Sequence, residues 1–424
     1  MCIRDSTEAD ELLQRAGGNA QVHIDQLKQQ FQQLNTDLIS WIDQSADDVN
    51  DMDLPFIVLG DAAAQGLNPG QIAAYNVQLI MEEMEDERAL RTELADELVC
   101  IWQKRAGAPR TTLDMTFENY HRLPVLNVRL DDVTELLMRG FHLTVEGSLN
   151  GFLESFPNLE VLNLDSVDLR HFFVGGEGGR SLPPAISQLK YLSSLNLRAT
   201  QLVFSQSAAS QLRDLTRLQS LDLSDNPLGV SPLVLGMNDL HQLNLRNTQI
   251  SRCPIGIKDE PYLTILDLRD NRISRVPPAV MNQAVADDRV LLWGNPLTDE
   301  DTLRRLVSHR EETGINVWLD APGADYGSPT VWLRDCEEAL QQSRQALWQR
   351  LAGKPSGTRF LDVINRLSLT ADFKVSYLSL QARVWRLLHE ADTSEEMWTR
   401  LSSSSGRFDH PMAAFGALED RAHL

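Results

Sequence analysis

Leucines recur in the order L-x-x-L-x-L through the middle of the chain, and this spacing constrains the fold more than any other feature. Successive copies start between 22 and 33 residues apart. One such segment cannot bury its leucines alone, so neighbouring copies must stack and share a continuous hydrophobic core. The copies begin at positions 133, 159, 192, 218, 240, 263 and 287.

The longer template is L-x-x-L-x-L-x-x-N-x-L, which is typical of leucine-rich repeats with a period of about 20 to 29 residues. The one longer step, of 33 residues, contains a glycine cluster at residues 175–179. No Lys followed by Ser or Thr comes after that cluster, so a flexible loop is favoured over a phosphate-binding loop. We therefore predict an α/β leucine-rich-repeat solenoid over residues 109–300.

Helical periodicity marks the region before the repeats, residues 1–108. A second helix is predicted from about residue 69 to 105, and a loop rich in Asp and Ala from 47 to 70 separates it from the first. The acidic run at 82–87 is interpreted as a solvated helix face. The first helix is marked by apolar residues three or four positions apart: Ile24, Leu27, Phe31, Leu34, Leu38 and Ile42.

Helical periodicity returns after the repeats, so residues 301–424 are predicted to be all-α. Apolar residues mark three helices: Leu333, Cys336, Leu340, Leu347 and Leu351 for the first, residues 360–367 for the second and 384–388 for the third. Thr393 and Glu396 have the spacing of a capping box, which predicts the start of a fourth helix. Turns are expected at 353–357 and 369–373.

Composition and charge exclude several classes of function. Lys and Arg number 39 and Asp and Glu number 60, so the formal net charge is −21, which argues against binding to nucleic acid or to anionic membranes. The apolar runs are too short to span a bilayer. The four cysteines match no zinc motif, and neither a metal nor a cofactor is expected. Residues 1–6 resemble a translated adaptor without a Sec-type signal, so the start of the chain is expected to be artificial or truncated.

The positions between the leucines are predicted to face the concave side of the solenoid, because residues alternate along a strand. One column there contains four arginines, and the column beside it is rich in Asn and Asp. Two interpretations stay open: the guanidinium groups bind carboxylates of a protein partner, or the strands alternate charge for solubility. The candidate substrate-binding residues are Arg139, Arg198, Asp222, Asn244, Arg246, Asp267 and Arg269.

Motifs for nucleophilic catalysis are missing from the sequence, which contains neither G-x-S-x-G nor H-E-x-x-H. Cys100 lies beside Leu98 and Ile101, Cys253 lies in a repeat turn, and Cys336 lies on the apolar side of a predicted helix. All three are interpreted as small buried hydrophobic side chains. The residues alone therefore indicate a binding solenoid with helical flanks.

The C-terminal region resembles the start of the NEL domain, the ubiquitin-ligase domain that follows a leucine-rich solenoid in the IpaH-type bacterial effectors. Residues 302–306 and 313–318 also look like the junction that follows the last repeat in these proteins. The likeness covers roughly residues 90 to 424 and rests on the order of its segments. These are LWQRL (347–351), FLDVINRLSLT (360–370), RVWRLL (383–388) and residues 409–419.

The resemblance implies thioester chemistry based on a Cys-x-Asp motif. In the family, the cysteine thiolate accepts ubiquitin from a conjugating enzyme and passes it to a substrate lysine, and the aspartate orients or deprotonates the amine. The matching positions are Arg407, Phe408 and Asp409, with Phe415 and Leu418 at the expected spacing. Asp409 matches the catalytic aspartate, but Arg407 occupies the nucleophile position. A protonated guanidinium cannot serve as this nucleophile.

Two functions stay open on this basis. The first is a bacterial effector of the ubiquitin-ligase family, secreted by a specialised system into the host cytoplasm, whose solenoid selects a host protein. Its full-length parent would also bind a ubiquitin-charged conjugating enzyme. The second is a non-catalytic protein-binding module, with the bacterial cytoplasm as the alternative location. The family's domain continues past Asp409, so the chain is expected to be a truncated copy without ligase activity. Residues 300–330 are expected to act as a hinge if the solenoid shields the catalytic region.

Overall fold

The chain consists of two compact units, residues 1–221 and 222–424. The glycine cluster at 175–179 lies outside the residues that the structure describes. A computed structural model describes residues 20–50, 54–56, 68–104, 111–143, 147–170, 182–257, 262–284, 290–403 and 410–423.

The first unit begins with the helices α1 (Ala20–Asp43), α2 (Ser45–Asn50) and α3 (Pro69–Trp102). A capping box starts α3, in which the Gln71 N–H donates to Asn68 Oδ1 (3.0 Å) and the Asn68 N–H donates to Gln71 Oε1 (2.9 Å). The two long helices confirm the prediction. α2 occupies the start of the segment predicted as a loop, and its Asp47 and Asp48 lie in the first turn, where carboxylates favour a helix.

α1 lies antiparallel along the C-terminal half of α3. The Phe31 ring stacks on Trp102 at 5.3 Å between centroids, and Asp43 pairs with Arg88 at 3.4 Å. The helices join the first repeat through Trp41, whose Nε1–H donates to the backbone oxygen of Arg122 (2.7 Å). The N-terminal helices therefore cap the start of the solenoid.

Short parallel strands form the repeats of the first unit. The strands are β1 (Thr112–Asp114), β2 (Asn119–Tyr120), β3 (Glu135–Leu137), β4 (His142–Leu143), β5 (Val161–Asn163) and β6 (Ser194–Asn196). β1 pairs with β3, β3 with β5, β5 with β6, and β2 separately with β4. β1 precedes the first repeat that the sequence predicted. The connecting elements are α4 (Gly147–Leu153), α5 (Pro184–Gln188), α6 (Gln206–Gln211) and the 3-10 turn Leu212–Asp214.

The second unit continues the same pattern. β7 (Ser220–Asp222) lies where the two units meet in the sequence, and β8 (Gln242–Asn244), β9 (Ile265–Asp267) and β10 (Val290–Leu291) follow, with α7 (Pro278–Ala284) before β10. β8 pairs with β9 and β9 with β10, all parallel. The buried Asn271 joins neighbouring repeats, because its Nδ2 donates to the Leu245 oxygen (2.7 Å) and its Oδ1 accepts the Thr248 N–H (3.0 Å). This explains the asparagine of the template.

The repeats from β3 to β10 turn at a residue in the left-handed conformation, which lies three positions after the last residue of the strand. Gly, Asn and Asp adopt this conformation most readily, and they fill most of these positions. The residues are Gly140, Ser166, Ala199, Asp225, Asn247, Asp270 and Gly294, with φ between 53° and 74°.

The rest of the second unit is helical, as predicted. Its helices are α8 (Glu300–Thr313), α9 (Glu338–Ala352), α10 (Gly357–Leu367), α11 (Ala371–Val375), α12 (Tyr377–Ala391), α13 (Glu395–Ser402) and α14 (Pro411–Ala422), with a 3-10 turn at Pro329–Trp332. Helices α9 to α14 share one core, which includes the fully buried Phe360, Ile364 and Phe415.

Three local predictions in this region were wrong. Leu333 and Cys336 precede α9 instead of lying on it. α11 occupies the predicted turn at 369–373, because the Thr370 hydroxyl accepts the Phe373 N–H and starts a helix there. The N-cap of α13 is Ser394, whose Oγ accepts the Met397 N–H (3.1 Å), while Thr393 Oγ1 donates back to the Glu390 oxygen.

Candidate functional site

The Asn and Asp column has a structural role in every repeat where its contacts are described. Each side-chain oxygen accepts the backbone N–H two residues further on, which turns the chain away from the strand. In the second unit Asp222 accepts from Ser224 (2.9 Å), Asn244 from Arg246 (3.1 Å) and Asp267 from Arg269 (3.1 Å). Asn163 and Asn196 do the same in the first unit. The local turn therefore explains these residue types without a ligand.

Arg139 and Arg198 of the first unit converge on one carboxylate. Asp165 lies 3.3 Å from Arg139 Nε and 3.6 Å from Arg198 Nη1, and it is 6% exposed. Both arginine side chains are about half exposed, at 58% and 46%. The carboxylate therefore neutralises part of their charge.

Arg246 and Arg269 of the second unit are paired in the same way. Arg246 Nε donates to Asp270 (2.8 Å). Arg269 donates two N–H groups to the Asp267 carboxylate, at 2.9 and 2.6 Å. The hydrogen bond with Asp267 raises the pKa of Arg269, so this guanidinium stays charged. The arginine column is thus balanced by acidic neighbours, which agrees with the solubility interpretation and leaves the binding role of the column a prediction.

Two apolar side chains extend this face and were missed from the sequence. Trp293 follows Leu292 just as Arg269 follows Leu268, so it occupies the arginine column of the last repeat, and it is 39% exposed. Ile265, the first residue of β9, is 45% exposed. Tryptophan and arginine are both enriched in protein-binding surfaces relative to an average surface. The repeat register, extended to the last copy, could have located Trp293.

The end of the solenoid is joined to the helical region within the second unit. The Leu292 N–H donates to the Val317 oxygen (3.1 Å), and the fully buried Trp318 donates through Nε1 to the Asn295 oxygen (2.9 Å). Arg310 on α8 pairs with Asp372 on α11 at 2.7 Å. The segment predicted as a hinge, 300–330, is therefore packed on both sides, and its movement stays a prediction.

The predicted motif residues Arg407 and Asp409 lie outside the described residues. The segment that follows them is described: α14 buries Phe415 and Leu418 in the helical core, and Arg383 of α12 pairs with Glu419 of α14. The matched segments 347–351, 360–367 and 383–388 contribute to the same core. The residues that carry the resemblance therefore pack together as one helical fold.

The described thiols differ in their surroundings. Burial raises the pKa of the Cys253 thiol to about 12, so this residue is inert, as interpreted. Cys100 and Cys336 are only half-buried, which corrects their interpretation as buried hydrophobic residues. The Cys336 sulfur accepts N–H groups from Arg344 (2.8 Å) and Gln381 (3.4 Å), because it lies in the bend before α9 instead of on its apolar face.

Comparison with protein families agrees with this arrangement. The model described as "C-terminal novel E3 ligase, LRR-interacting", the NEL domain, matches residues 332–421, and a leucine-rich-repeat model matches residues 217–237. The chain combines leucine-rich repeats with a NEL domain. The NEL match begins at Trp332 and includes α9 to α14, so it coincides with the helical core of the second unit.

Parts of this chain are similar to other leucine-rich-repeat proteins. A curated relative is leucine-rich repeat and IQ domain-containing protein 4 of Mus musculus, 32% identical over 27% of this chain and 23% of that protein. The chain thus spans less than a quarter of that relative's length. Similar solved structures are internalin C2 of Listeria monocytogenes (21% identity, 46% of this chain, 75% of that chain, TM-score 0.35) and a leucine-rich-repeat protein of Leptospira interrogans (18% identity, 48% of this chain, 59% of that chain, TM-score 0.33).

Within the described ranges, no group of three or more His, Cys, Asp or Glu side chains is placed to hold a metal ion. Among the helices of the same ranges, none has the length and apolar character to cross a bilayer.

Proposed function

We propose that this chain is a ubiquitin-ligase relative that binds a protein through its solenoid but does not transfer ubiquitin. The NEL domain is of the E3 ligase kind, and such a domain implies a ubiquitin conjugating enzyme as a partner. Leucine-rich repeats provide the protein-binding surface. In the family chemistry, a cysteine thiolate takes ubiquitin as a thioester and delivers it to a lysine of the bound substrate.

The feature that carries this proposal is Arg407, which the family resemblance aligns with the nucleophile position. Arg407 lies within the NEL match. It comes two residues before Asp409, which the sequence resemblance aligns with the aspartate of the motif. A guanidinium is a cation at neutral pH and has no lone pair available for attack on a thioester. The proposal therefore assigns substrate binding, and not transfer, to this chain.

A thioester assay with matched variants tests the proposal. The chain is incubated with ubiquitin-charged conjugating enzymes and run on a non-reducing gel. We expect no ubiquitin adduct on the unchanged chain and a dithiothreitol-sensitive adduct on Arg407→Cys, which Asp409 should then support. An adduct on the unchanged chain would contradict the proposal, and Cys336→Ala would show whether Cys336 carries it.

The second candidate function is a non-catalytic protein-binding module whose helical region takes no part in a ligase mechanism. The same assay discriminates it, since neither the unchanged chain nor Arg407→Cys would then form an adduct. For both candidates, the change of Arg198, Arg246 and Arg269 together to Ser should weaken binding of a protein partner. It should also weaken the salt dependence of that binding. Unchanged affinity would reject the arginine column as the binding surface.

The proposed setting is a bacterial effector delivered by a specialised secretion system to the cytoplasm of a host cell, where the solenoid meets a host protein. The support is the family resemblance of the NEL domain. Fusion of the chain to a reporter that is active only in host cytoplasm tests this setting. We expect a signal that disappears in a secretion-deficient strain. No signal from the secretion-competent strain would favour the bacterial cytoplasm, and a signal that persists without secretion would contradict delivery by that system.

A further inference from the structure

The N-terminal half of α3 presents a stripe of apolar side chains between residues 73 and 86, and none of them is buried. From residue 73 to 86 no residue is classed as buried, and Val77 and Met81 are 55% and 57% exposed. Ile80 and Met84 are partly exposed. An exposed run of large apolar side chains on one helix face is unusual for a surface that stays solvated.

The stripe belongs to a regular heptad pattern that runs the length of α3. Steps of four and three residues connect all of its members, as in the seam of a coiled coil. From residue 87 onward every member is buried, and before it none is. The members are Ala73, Val77, Ile80, Met84, Glu87, Arg91, Leu94, Leu98 and Ile101.

The difference between the two halves follows from the length of α1. α1 contacts α3 from Trp102 back to Arg88, where Asp43 ends the helix. At a rise of about 1.5 Å per residue, residues 73–86 form roughly 20 Å of seam beyond that point. Among the described residues, the same helix face is thus paired in one half and exposed in the other.

The exposed part of the seam, residues 73–86, is called the open seam here. Its charge indicates what kind of helix would bind to it. Residues 69–86 contain Glu82, Glu83, Glu85 and Asp86 and neither Lys nor Arg. Glu83 occupies a position that flanks the seam, next to Met84, where charges of a coiled coil choose the partner. A second copy of this chain would bring a second acidic segment and another net charge of −21, which opposes self-association.

We propose that the open seam of α3 docks a basic amphipathic helix of another protein, with apolar residues at its own seam and Lys or Arg beside them. Met84 in the seam and Met81 beside it suit this role, because methionine side chains adapt to differently shaped partners. This site is independent of the concave face and of the NEL domain.

A synthetic probe tests the proposal with the full chain. The probe is a three-heptad peptide with Leu at both seam positions and Lys at both flanking positions, and binding is measured by fluorescence anisotropy. We expect the change of Val77 and Met84 together to Ser to weaken binding at least tenfold. Tyr75→Ser is the matched control, because Tyr75 is an exposed apolar residue of the same helix (46%) on its opposite face, and it should leave affinity unchanged.

A charge exchange completes the experiment. The double variant Glu83→Lys, Glu85→Lys should no longer bind the Lys-flanked peptide. It should instead bind the same peptide with Glu in the flanking positions. Equal binding of a scrambled Lys peptide, or an equal loss with Tyr75→Ser, would reduce the effect to non-specific charge attraction and overturn the proposal. Sedimentation that shows a dimer abolished by Val77→Ser would overturn it in favour of a second copy of this chain.

Discussion

Arg91 has the most demanding environment among the charged residues of the first unit, because a fully buried guanidinium needs both countercharges and hydrogen-bond acceptors. It contacts Glu87 and Asp48, both at 2.7 Å, and donates to the Trp41 oxygen at 2.6 Å. Arg122 of the first repeat binds the same Asp48 at 2.9 Å. One carboxylate thus connects α2, α3 and the solenoid.

Arg91→Ala should destabilise the first unit strongly, since it leaves the carboxylates of Asp48 and Glu87 buried with fewer partners. The expected loss is about 3–5 kcal/mol in the free energy of unfolding, measured by urea denaturation. Arg88→Ala is the control on the same helix, because the Arg88–Asp43 pair is more than 60% exposed on both sides. It should lose less than about 1 kcal/mol. Equal losses would show that the buried network contributes little.

His121 makes the stability of the same network depend on pH. Burial lowers the pKa of His121 below its ordinary value of 6.5, and the nearby carboxylates of Asp48 and Glu87 offset this only in part. Arg91 and Arg122 also face the ring and oppose its protonation. Burial alone would raise the pKa of Asp48, but hydrogen bonds from Arg122 and Arg91 hold it below its usual value, so Asp48 stays ionised while His121 titrates.

Stability should therefore fall as the pH drops from 7 through 6.5 towards the lowered pKa of His121. In that window the unfolded chain binds a proton that the folded chain resists. The measurement is the urea midpoint at pH 7.0 and 5.5 for the unchanged chain and for His121→Gln. We expect a smaller pH dependence for the variant. An identical decrease in both proteins would assign the effect to other groups.

At the scale of elements, α8 and α11 depend on the ion pair between Arg310 and Asp372. Its side chains are only 21% and 12% exposed, so solvent screens it less than a surface pair. Removal of the charged hydrogen bonds costs about 1.5 kcal/mol, which corresponds to a roughly tenfold rise in local opening.

Hydrogen exchange tests this contact. Arg310→Ala should speed amide exchange in α11 (Ala371–Val375) about tenfold and leave α14 unaffected. Arg304→Ala is the control on α8, because its pair with Glu300 is more than 60% exposed on both sides. Equal protection of α11 in all three proteins would mean that apolar packing alone holds α11 against α8.

Sequence reasoning located most elements because their spacing is regular. The leucines at strand centres, such as Leu195 and Leu266, recur at fixed intervals, so the repeats could be predicted as soon as the period was found. β1 was missed because only Leu113 and Met115 match the repeat template in that segment. α11 was missed because its helix is short and depends on the cap at Thr370 and on packing against α8, neither of which leaves a periodic pattern.

The candidate site was harder to predict than the fold. Spacing placed Asp222, Asn244 and Asp267 in one column, but it could not separate a binding role from the backbone turn that each side chain makes. Similarly, the arginine column was visible, but its neutralisation by Asp165, Asp267 and Asp270 depends on side-chain positions that only the folded chain defines. Cys336 appeared apolar because Arg344 and Gln381 contact it only after folding.

At the scale of the whole molecule, a repeat surface for protein binding is joined to a domain of the ubiquitin-ligase kind. The repeats and the NEL match occupy different parts of the sequence, so the proposed loss of the nucleophile would leave the proposed binding surface unchanged. The helical core of the NEL domain includes Phe360, Trp385 and Phe415.

The most direct measurement is single-turnover discharge of a ubiquitin-charged conjugating enzyme, with free lysine as acceptor, in the presence and absence of the unchanged chain. It reports transfer by any route, including routes without a covalent adduct. We expect the same discharge rate with and without the chain, because Arg407 cannot accept ubiquitin. A rate that increases with the concentration of the unchanged chain would contradict the proposed loss of ligase activity.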